Sequence, residues 1–338
     1  MDATSFPWEL LPSSIHEEIL SKLPISVLLR LRSISRSFLS SIRSLPPSLP
    51  FPRDPFFLLF SSSSSSYSIS SAIVFQPSRN RWLSMPLPSF PATASGPLIL
   101  LSDSLFNPFS GTPTPIPPHL PMTTLIYPLS LIIEDDGTTH RSRVRIVVVS
   151  TSDRIRSQIY DSASGSWTLR GELPGRVHML GNAVVLNGSL YVLSFGPDHL
   201  LKFDLLSGDW EIVTEVVPSV ACAHLVAFGG RLFLVAGVAD LLGVMLSVKV
   251  WEFDWENWKL VCSMPDEIFS EFSGMTIMKH FHVCDGKGMV CFYSYSGNVF
   301  LILDLMDWRW WWPRKCPLQC HLNPFLGVAV EPNAEFLR

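Results

Sequence analysis

Residues 200–210 read Leu200-Leu201-Lys202-Phe203-Asp204-Leu205-Leu206-Ser207-Gly208-Asp209-Trp210. An apolar run ends on a carboxylate, a Ser-Gly turn follows, and Trp opens the next run. That order is the local chemistry of a hairpin, two short strands joined by tight-turn residues. A polar residue with Trp six positions on recurs at Gln76/Trp82, Asp161/Trp167, Glu252/Trp258 and Asp304/Trp310. Asn107 to Pro113 makes a sixth copy, with Pro in the place of Trp. Upstream of three copies lies a second turn: Asn187-Gly188, Gly229-Gly230 and Gly286-Lys287-Gly288. From the last glycine of each to the following Trp there are 22, 28 and 22 residues. Two hairpins per unit make a four-stranded blade. Trp167, Trp210, Trp258 and Trp310 stand 43, 48 and 52 residues apart, a spacing that fits the blades of a β-propeller. The pattern predicts a mainly β fold with six blades, with two packed β-sandwiches as the alternative.

The strand runs agree. Phe56 to Phe60, Leu98 to Leu101, Val144 to Val149, Leu190 to Leu193, Leu232 to Val235, Val290 to Phe292 and Val299 to Leu303 are rich in β-branched and aromatic residues. Asp54 to Trp82 is too short for four strands. Phe325 to Val330, after the last unit, reads as the missing strand, and pairing it into the first blade closes the ring. The glycine turn followed by a Trp strand resembles kelch repeats, although one true Gly-Gly pair remains.

The N-terminal residues have a different period. Ser14-Ile15-His16-Glu17 has capping-box form, which predicts a helix from about Ile15 to Lys22 with Ile15 and Ile19 on one face. Pro24 ends it, Ser26 caps a second helix carrying Leu28 and Leu31, and Ile34, Phe38 and Ile42 mark a third. So small a helical unit holds more apolar side chains than it can bury alone, which implies a partner. The spacing Leu11-Pro12, Ile15, Ile19-Leu20, Leu23-Pro24, Leu28, Leu31, Ile34 and Phe38 resembles the F-box, with Ser14 where an acidic residue is usual and Phe38 where Trp is usual. The resemblance implies that these eleven residues dock a Skp-type adaptor and, through it, a cullin-RING ubiquitin ligase. Residues 8–45 are then the F-box, 46–52 a proline-rich linker and 53–338 the propeller. The plant F-box/kelch group is the nearest resemblance. It implies a non-catalytic substrate-recognition subunit of an SCF (Skp-cullin-F-box) ligase, whose propeller binds a protein substrate for ubiquitination. The alternatives are a non-ligase propeller scaffold and, behind it, a propeller enzyme.

Composition bounds the rest. Hydrophobic residues make up 47% of 338, so a large core is available, while 16% charged residues favour sheet over helix. A net charge of −4 gives no electrostatic case for nucleic acid. The six Cys all follow residue 221 without Cys-x-x-Cys pairs, and no signal peptide leads the chain. These read as reduced thiols and place the protein in the cytoplasm or nucleus. The most apolar stretch, Leu225 to Val248, is broken by Gly229-Gly230-Arg231 and Asp240, so no membrane span is expected.

Several constellations have ordinary readings. Ser61 to Ser66 is a loop insertion, and Thr112 to Pro121 an extended connector. Arg141, Arg143 and Arg145 share a strand face, with Arg154 and Arg156 nearby. They read as a solvated edge strand, with reception of an acidic segment as the rival. Cys316-Pro317-Leu318-Gln319-Cys320-His321 fits no zinc module, and His280 and His282 share a strand face without a carboxylate. In Trp308-Arg309-Trp310-Trp311-Trp312, alternation puts Trp311 opposite the other three. No nucleophile elbow, His-Glu-x-x-His or phosphate loop is present, so neither an enzyme nor a cofactor is expected. Recognition is expected at one end of the ring, near Gly196-Pro197-Asp198-His199 and Ala236 to Leu242, with Leu241, Leu242 and Met245 as substrate-binding residues.

Overall fold

The computed structural model describes residues 8–23, 27–28, 31, 34–43, 55–61, 71–89, 91–108, 111, 113–121, 126–135, 142–151, 155–173, 177, 179–217, 219–275, 280–294, 297–316 and 324–331. Pro24, Ser26, the linker 46–52, Ser62 to Ser66, Thr112, Arg141, Arg154 and residues 317–321 lie outside them.

Six four-stranded antiparallel sheets follow one another along the chain. The first holds β1 (Phe56–Ser61), β2 (Ser71–Gln76) and β3 (Arg81–Pro86), and the second β4 (Pro91–Ser95), β5 (Leu98–Leu101), β6 (Ser104–Phe106) and β7 (Pro113–Pro115). The third comprises β8 (Ile126–Asp135), β9 (Ser142–Thr151), β10 (Ile155–Asp161) and β11 (Ser166–Leu173). Then come β12 (Met179–Leu186), β13 (Ser189–Phe195), β14 (His199–Asp204) and β15 (Trp210–Glu215). The fifth has β16 (Val220–Phe228), β17 (Arg231–Ala239), β18 (Met245–Phe253) and β19 (Trp258–Ser263). The sixth has β20 (His282–Gly286), β21 (Met289–Ser294), β22 (Gly297–Asp304) and β23 (Arg309–Trp311). The last strand, β24 (Pro324–Val330), pairs with β1 from Phe56↔Val330 to Ser61↔Pro324 and gives the first sheet its fourth strand. The first strands of the blades touch in the cycle β24, β4, β8, β12, β16, β20 and back to β24. The fold is a closed six-bladed propeller, and the strand expected to close it does so.

The repeat that reveals the fold has a plain physical basis. Phe75, Tyr160, Phe203, Phe253 and Leu303 each sit directly opposite the repeat Trp of their blade, and Phe106 sits opposite Pro113. The next residue turns the chain. Asp204 Oδ1 accepts the N–H groups of Leu206 and Ser207, both at 2.8 Å, a side-chain mimic of a backbone turn. In blade five the equivalent is Asp254, not the expected Glu252. Asp254 Oδ1 accepts from Glu256 and Asn257, while Glu252 pairs with Arg231 at 3.2 Å. The turn there runs from Phe253 directly opposite Trp258, two residues shorter than from Phe203 to Trp210, so counting back six positions overshoots. Several Trp rings then reach a neighbouring segment: Trp210 Nε1 donates to Ser157 of blade three at 3.3 Å, and Trp167 Nε1 to the Pro117 carbonyl at 2.8 Å.

The other hairpin turns use left-handed backbone. Asn187-Gly188, Gly229-Gly230 and Lys287-Gly288 have φ of 50 and 75, 59 and 75, and 49 and 80°, the signature of type I′ turns. At Gly288 a Cβ would lie 2.6 Å from the Phe228 ring, so the site also demands the missing side chain.

Two expectations change. Thr112 to Pro121 is not wholly a connector, because Pro113–Pro115 forms the outermost strand of blade two, where a missing N–H costs no ladder bond. The arginines do not lie on an edge: β9 is an inner strand, Arg143 pairs with Asp161, and Arg145 pairs with Glu134 and donates to the Leu205 carbonyl of blade four at 2.8 Å. Trp311 packs in a different cluster from Trp308, Trp310 and Trp312, as alternation requires. Among the described residues no helix is long and apolar enough to cross a membrane, and Cys222, Cys262, Cys284, Cys291 and Cys316 are free thiols.

Candidate functional site

The helical module begins with a turn at Trp8–Leu10 and α1 (Ser13–Ser21). Pro12 is the N-cap, and its carbonyl accepts the N–H groups of Ile15 and His16 at 3.0 and 3.1 Å. The capping box expected at Ser14 is therefore absent: Ser14 already sits in the first turn, and no side chain caps the helix. Val27, Leu28, Leu31 and Ile34 have helical backbone, and α2 (Arg36–Arg43) follows, with Ser35 Oγ accepting the Phe38 N–H at 3.1 Å. Trp8 ties the two ends together. Its ring stacks on His16 at 4.2 Å, its carbonyl bonds His16 Nε2 at 2.7 Å, and Phe38 packs beside it at 4.9 Å.

The eleven expected adaptor residues divide by burial. Leu20 and Leu28 are fully buried and share one apolar cluster with Ile42 and with Phe56 and Leu58 of blade one, so they hold the module together. Leu23 and Leu31 pack partly against that cluster, and Leu11 and Phe38 are half-buried. Pro12 is exposed but occupied as the cap, and Pro24 is outside the described residues. Ile15 and Ile19 are each 38% exposed and one turn apart on α1, and Ile34 is 68% exposed. Leu10, at 73%, joins this outward apolar set and was not expected. The signal available for it was the bare Leu10-Leu11 pair, which does not say which leucine faces inward.

The second site is the mouth of the central channel. A cavity of about 830 Å³ is lined by the opening residues of β12 (Met179 to Asn182), β16 (Val220 to His224) and β24 (Leu326, Gly327). Residues 280–283, Phe195 at the end of β13, and Tyr293 and Ser294 at the end of β21 complete it. Strands that begin or end here place the cavity at the end of the ring carrying the β13–β14 and β17–β18 turns. β1 starts at the opposite end, where Phe56 pairs with Val330.

Among the described lining residues there is no Asp, Glu, Lys or Arg. The Cys222 thiol and His280 Nδ1 are in hydrogen-bond contact at 3.1 Å, and burial pushes that thiol up. His224 and His282 meet edge to face at 5.7 Å. Burial, with His282 beside it, lowers His224 to about 3, and burial lowers His282 as well, so both rings are held neutral. Asn182 is committed to the next blade: its amide bonds the backbone of Leu225 at 2.7 and 2.9 Å. Among the described residues no group of three or more His, Cys, Asp or Glu side chains is arranged to hold a metal ion. In sequence His280 and His282 suggest packing or surface roles; their meeting with Cys222 and His224 across two blades is something no local spacing reveals.

The expected substrate residues separate too. Leu241 and Leu242 are exposed at the tip of the β17–β18 turn, whose Asp240 Oδ1 accepts from Leu242 and Val244 at 2.9 and 2.8 Å. Met245 is a correction: it is 4% exposed and packs over Gly237, where a Cβ would meet its methyl at 2.7 Å. The 28-residue interval in blade five reflects longer strands, nine residues each in β17 and β18 against seven and six in β13 and β14. No long recognition loop lies there.

A small helical module joined to a closed six-bladed propeller defines an F-box protein of the propeller class. The F-box domain profile matches residues 8–49, and the KIB1-4 beta-propeller profile matches residues 60–307. The chain belongs to the F-box proteins that carry a KIB1-4 beta-propeller. A protein of Arabidopsis thaliana named F-box/kelch-repeat protein is 30% identical over 92% of this chain and 83% of its own length. F-box only protein 6 of the same plant is 24% identical over 80% of this chain and 61% of its own length.

Proposed function

We propose that the chain is a non-catalytic substrate receptor of an SCF-type ubiquitin ligase, at work in the cytoplasm or nucleus. The F-box holds a Skp-type adaptor and, through it, a cullin-RING core, while the propeller presents a protein substrate from the channel-mouth end. The observation that carries this is the outward set Leu10, Ile15, Ile19 and Ile34 on a module matched by the F-box profile. Apolar groups that large, left outside a unit with its own packed cluster, call for a covering partner. The chain positions the substrate, and other subunits supply ubiquitin transfer. Co-expression with a Skp-type adaptor tests it. The wild-type chain is expected to co-purify with the adaptor, and Ile15→Asp with Ile19→Asp to lose it while the melting temperature of the propeller holds. Undiminished adaptor binding by the double variant overturns the assignment.

A further inference from the structure

We propose that Pro113-Thr114-Pro115-Ile116-Pro117-Pro118-His119-Leu120-Pro121 is an interaction surface for a domain that reads polyproline through a groove lined by aromatic rings. The proposal goes beyond the receptor reading and does not rest on it. The backbone follows from the sequence. Proline fixes its own φ at about −65° and drives the residue before it into extended geometry. In this stretch only His119 is neither a proline nor followed by one. After β7 ends at Pro115, residues 116–121 form neither helix nor turn, as a polyproline II run requires. Such a run has three residues per turn, so Pro115, Pro118 and Pro121 share one edge, about 9 Å from each to the next. All three are exposed. The attachments fall on the residues between them. Ile116 N–H donates to the Asp103 carbonyl at 3.0 Å, and Trp167 Nε1 to the Pro117 carbonyl at 2.8 Å. The His119 ring stands edge-on to Trp167 at 6.3 Å. Gln158, fully buried, spends its whole amide on Leu120: Oε1 accepts the N–H and Nε2 donates to the carbonyl, both at 2.9 Å. Ile116 and Leu120 pack partly into the apolar cluster of Tyr160 and Trp167. Two edges of the segment are thus tied to blades two and three, and the all-proline edge stays exposed. Readers of this kind take prolines three apart against aromatic rings and gain from a ligand that is already extended. Here the clamps fix the ligand before the partner arrives, which removes an ordering cost from binding. The stretch carries no Asp, Glu, Lys or Arg, so it offers a partner ring contact and shape rather than an ion pair.

The test titrates the full-length chain into three purified, nitrogen-15-labelled domains, one each of the WW, EVH1 and SH3 types. Binding is read as a shift of the indole N–H signals of the reader's own groove. At least one domain is expected to bind saturably and to be displaced by a proline decapeptide. Pro118→Ala with Pro121→Ala is expected to weaken that binding at least about tenfold while the melting temperature of the chain holds, since both side chains are exposed. The decapeptide competition uses the unmutated chain and keeps the proposal falsifiable should the double variant not fold. A blocked peptide of residues 113–121, free of the Gln158 and Trp167 clamps, is expected to bind about tenfold more weakly than the chain. Absence of binding by all three domains, binding that the decapeptide does not displace, or a folded double variant that binds as well as wild type overturns the proposal. Equal affinity of the free peptide overturns the role given to the clamps. Adaptor co-purification is read separately, so failure of this surface and failure of the ligase reading give different results.

Discussion

Met245 and its neighbours Leu241 and Leu242 show how much burial decides at a single residue. All three are apolar and close in sequence, yet Met245 fills the space over Gly237 and the leucines stand in solvent. Met245→Ala is expected to cost about 2–5 kcal/mol by leaving a cavity. Leu241→Ser with Leu242→Ser should leave the urea midpoint unchanged. Equal destabilisation by the two changes would contradict the assignment. A second pair of residues carries the pH dependence. Burial holds the Asp285 carboxyl up at about 7, with the Glu331 charge nearby adding to the effect. The native state therefore keeps a proton that the unfolded chain has released, and stability from this group falls as pH rises from about 4 to 7. His224, lowered to about 3, acts in the opposite sense: its contribution is complete above about 6.5 and falls as pH drops toward 3. The two slopes oppose each other between about pH 4 and pH 6.5. Asp285→Asn removes one of them, so the variant should gain on the wild type as urea unfolding is moved from pH 5 to pH 8. A difference constant across that range would show that Asp285 does not titrate as its surroundings require.

Among the elements, β24 holds the ring. It supplies the first strand of a blade whose other three strands lie more than 230 residues earlier in sequence, from Phe56 to Pro86. Ending the chain before Pro324 leaves the edge of β1 unpaired and exposes Phe57 and Leu59, which are buried in the intact ring. Limited proteolysis should then cut throughout the propeller, and the protein should aggregate. Protection equal to that of the full chain would mean that closure does not depend on this strand. The strand was legible in sequence because it is apolar and left over once the Trp units are counted. The helix start was less legible. Ser14 satisfies the capping-box pattern, but Pro12 has a fixed φ and a free carbonyl, and the helix begins on it. In blade five the Asp–Trp count failed because turns vary in length while the register of Phe253 opposite Trp258 does not.

For the whole molecule, what sequence shows best is repetition, and what it shows least is convergence. Six blades follow from a motif that repeats along the chain. The cavity has no motif, since Cys222 and His224 come from β16 while His280 and His282 lie just before and at the start of β20, three strands and a helix (Asp266–Met275) later, and only ring closure brings Leu326 beside them. The molecule thus has two candidate sites, the outward apolar set of the helical module and the cavity lined by residues of four blades. In the proposed function these two sites act independently, one on the ligase and one on the substrate. Affinity purification from cells with ligase activity blocked, compared by quantitative mass spectrometry across three forms of the chain, tests it directly. The Ile15→Asp, Ile19→Asp form should lose the Skp-type adaptor and cullin yet keep the proteins held by the propeller. The Ala221→Trp form, which fills the cavity, should keep the adaptor and cullin and lose those proteins. Loss of both sets in either folded variant, or of neither, would contradict the account.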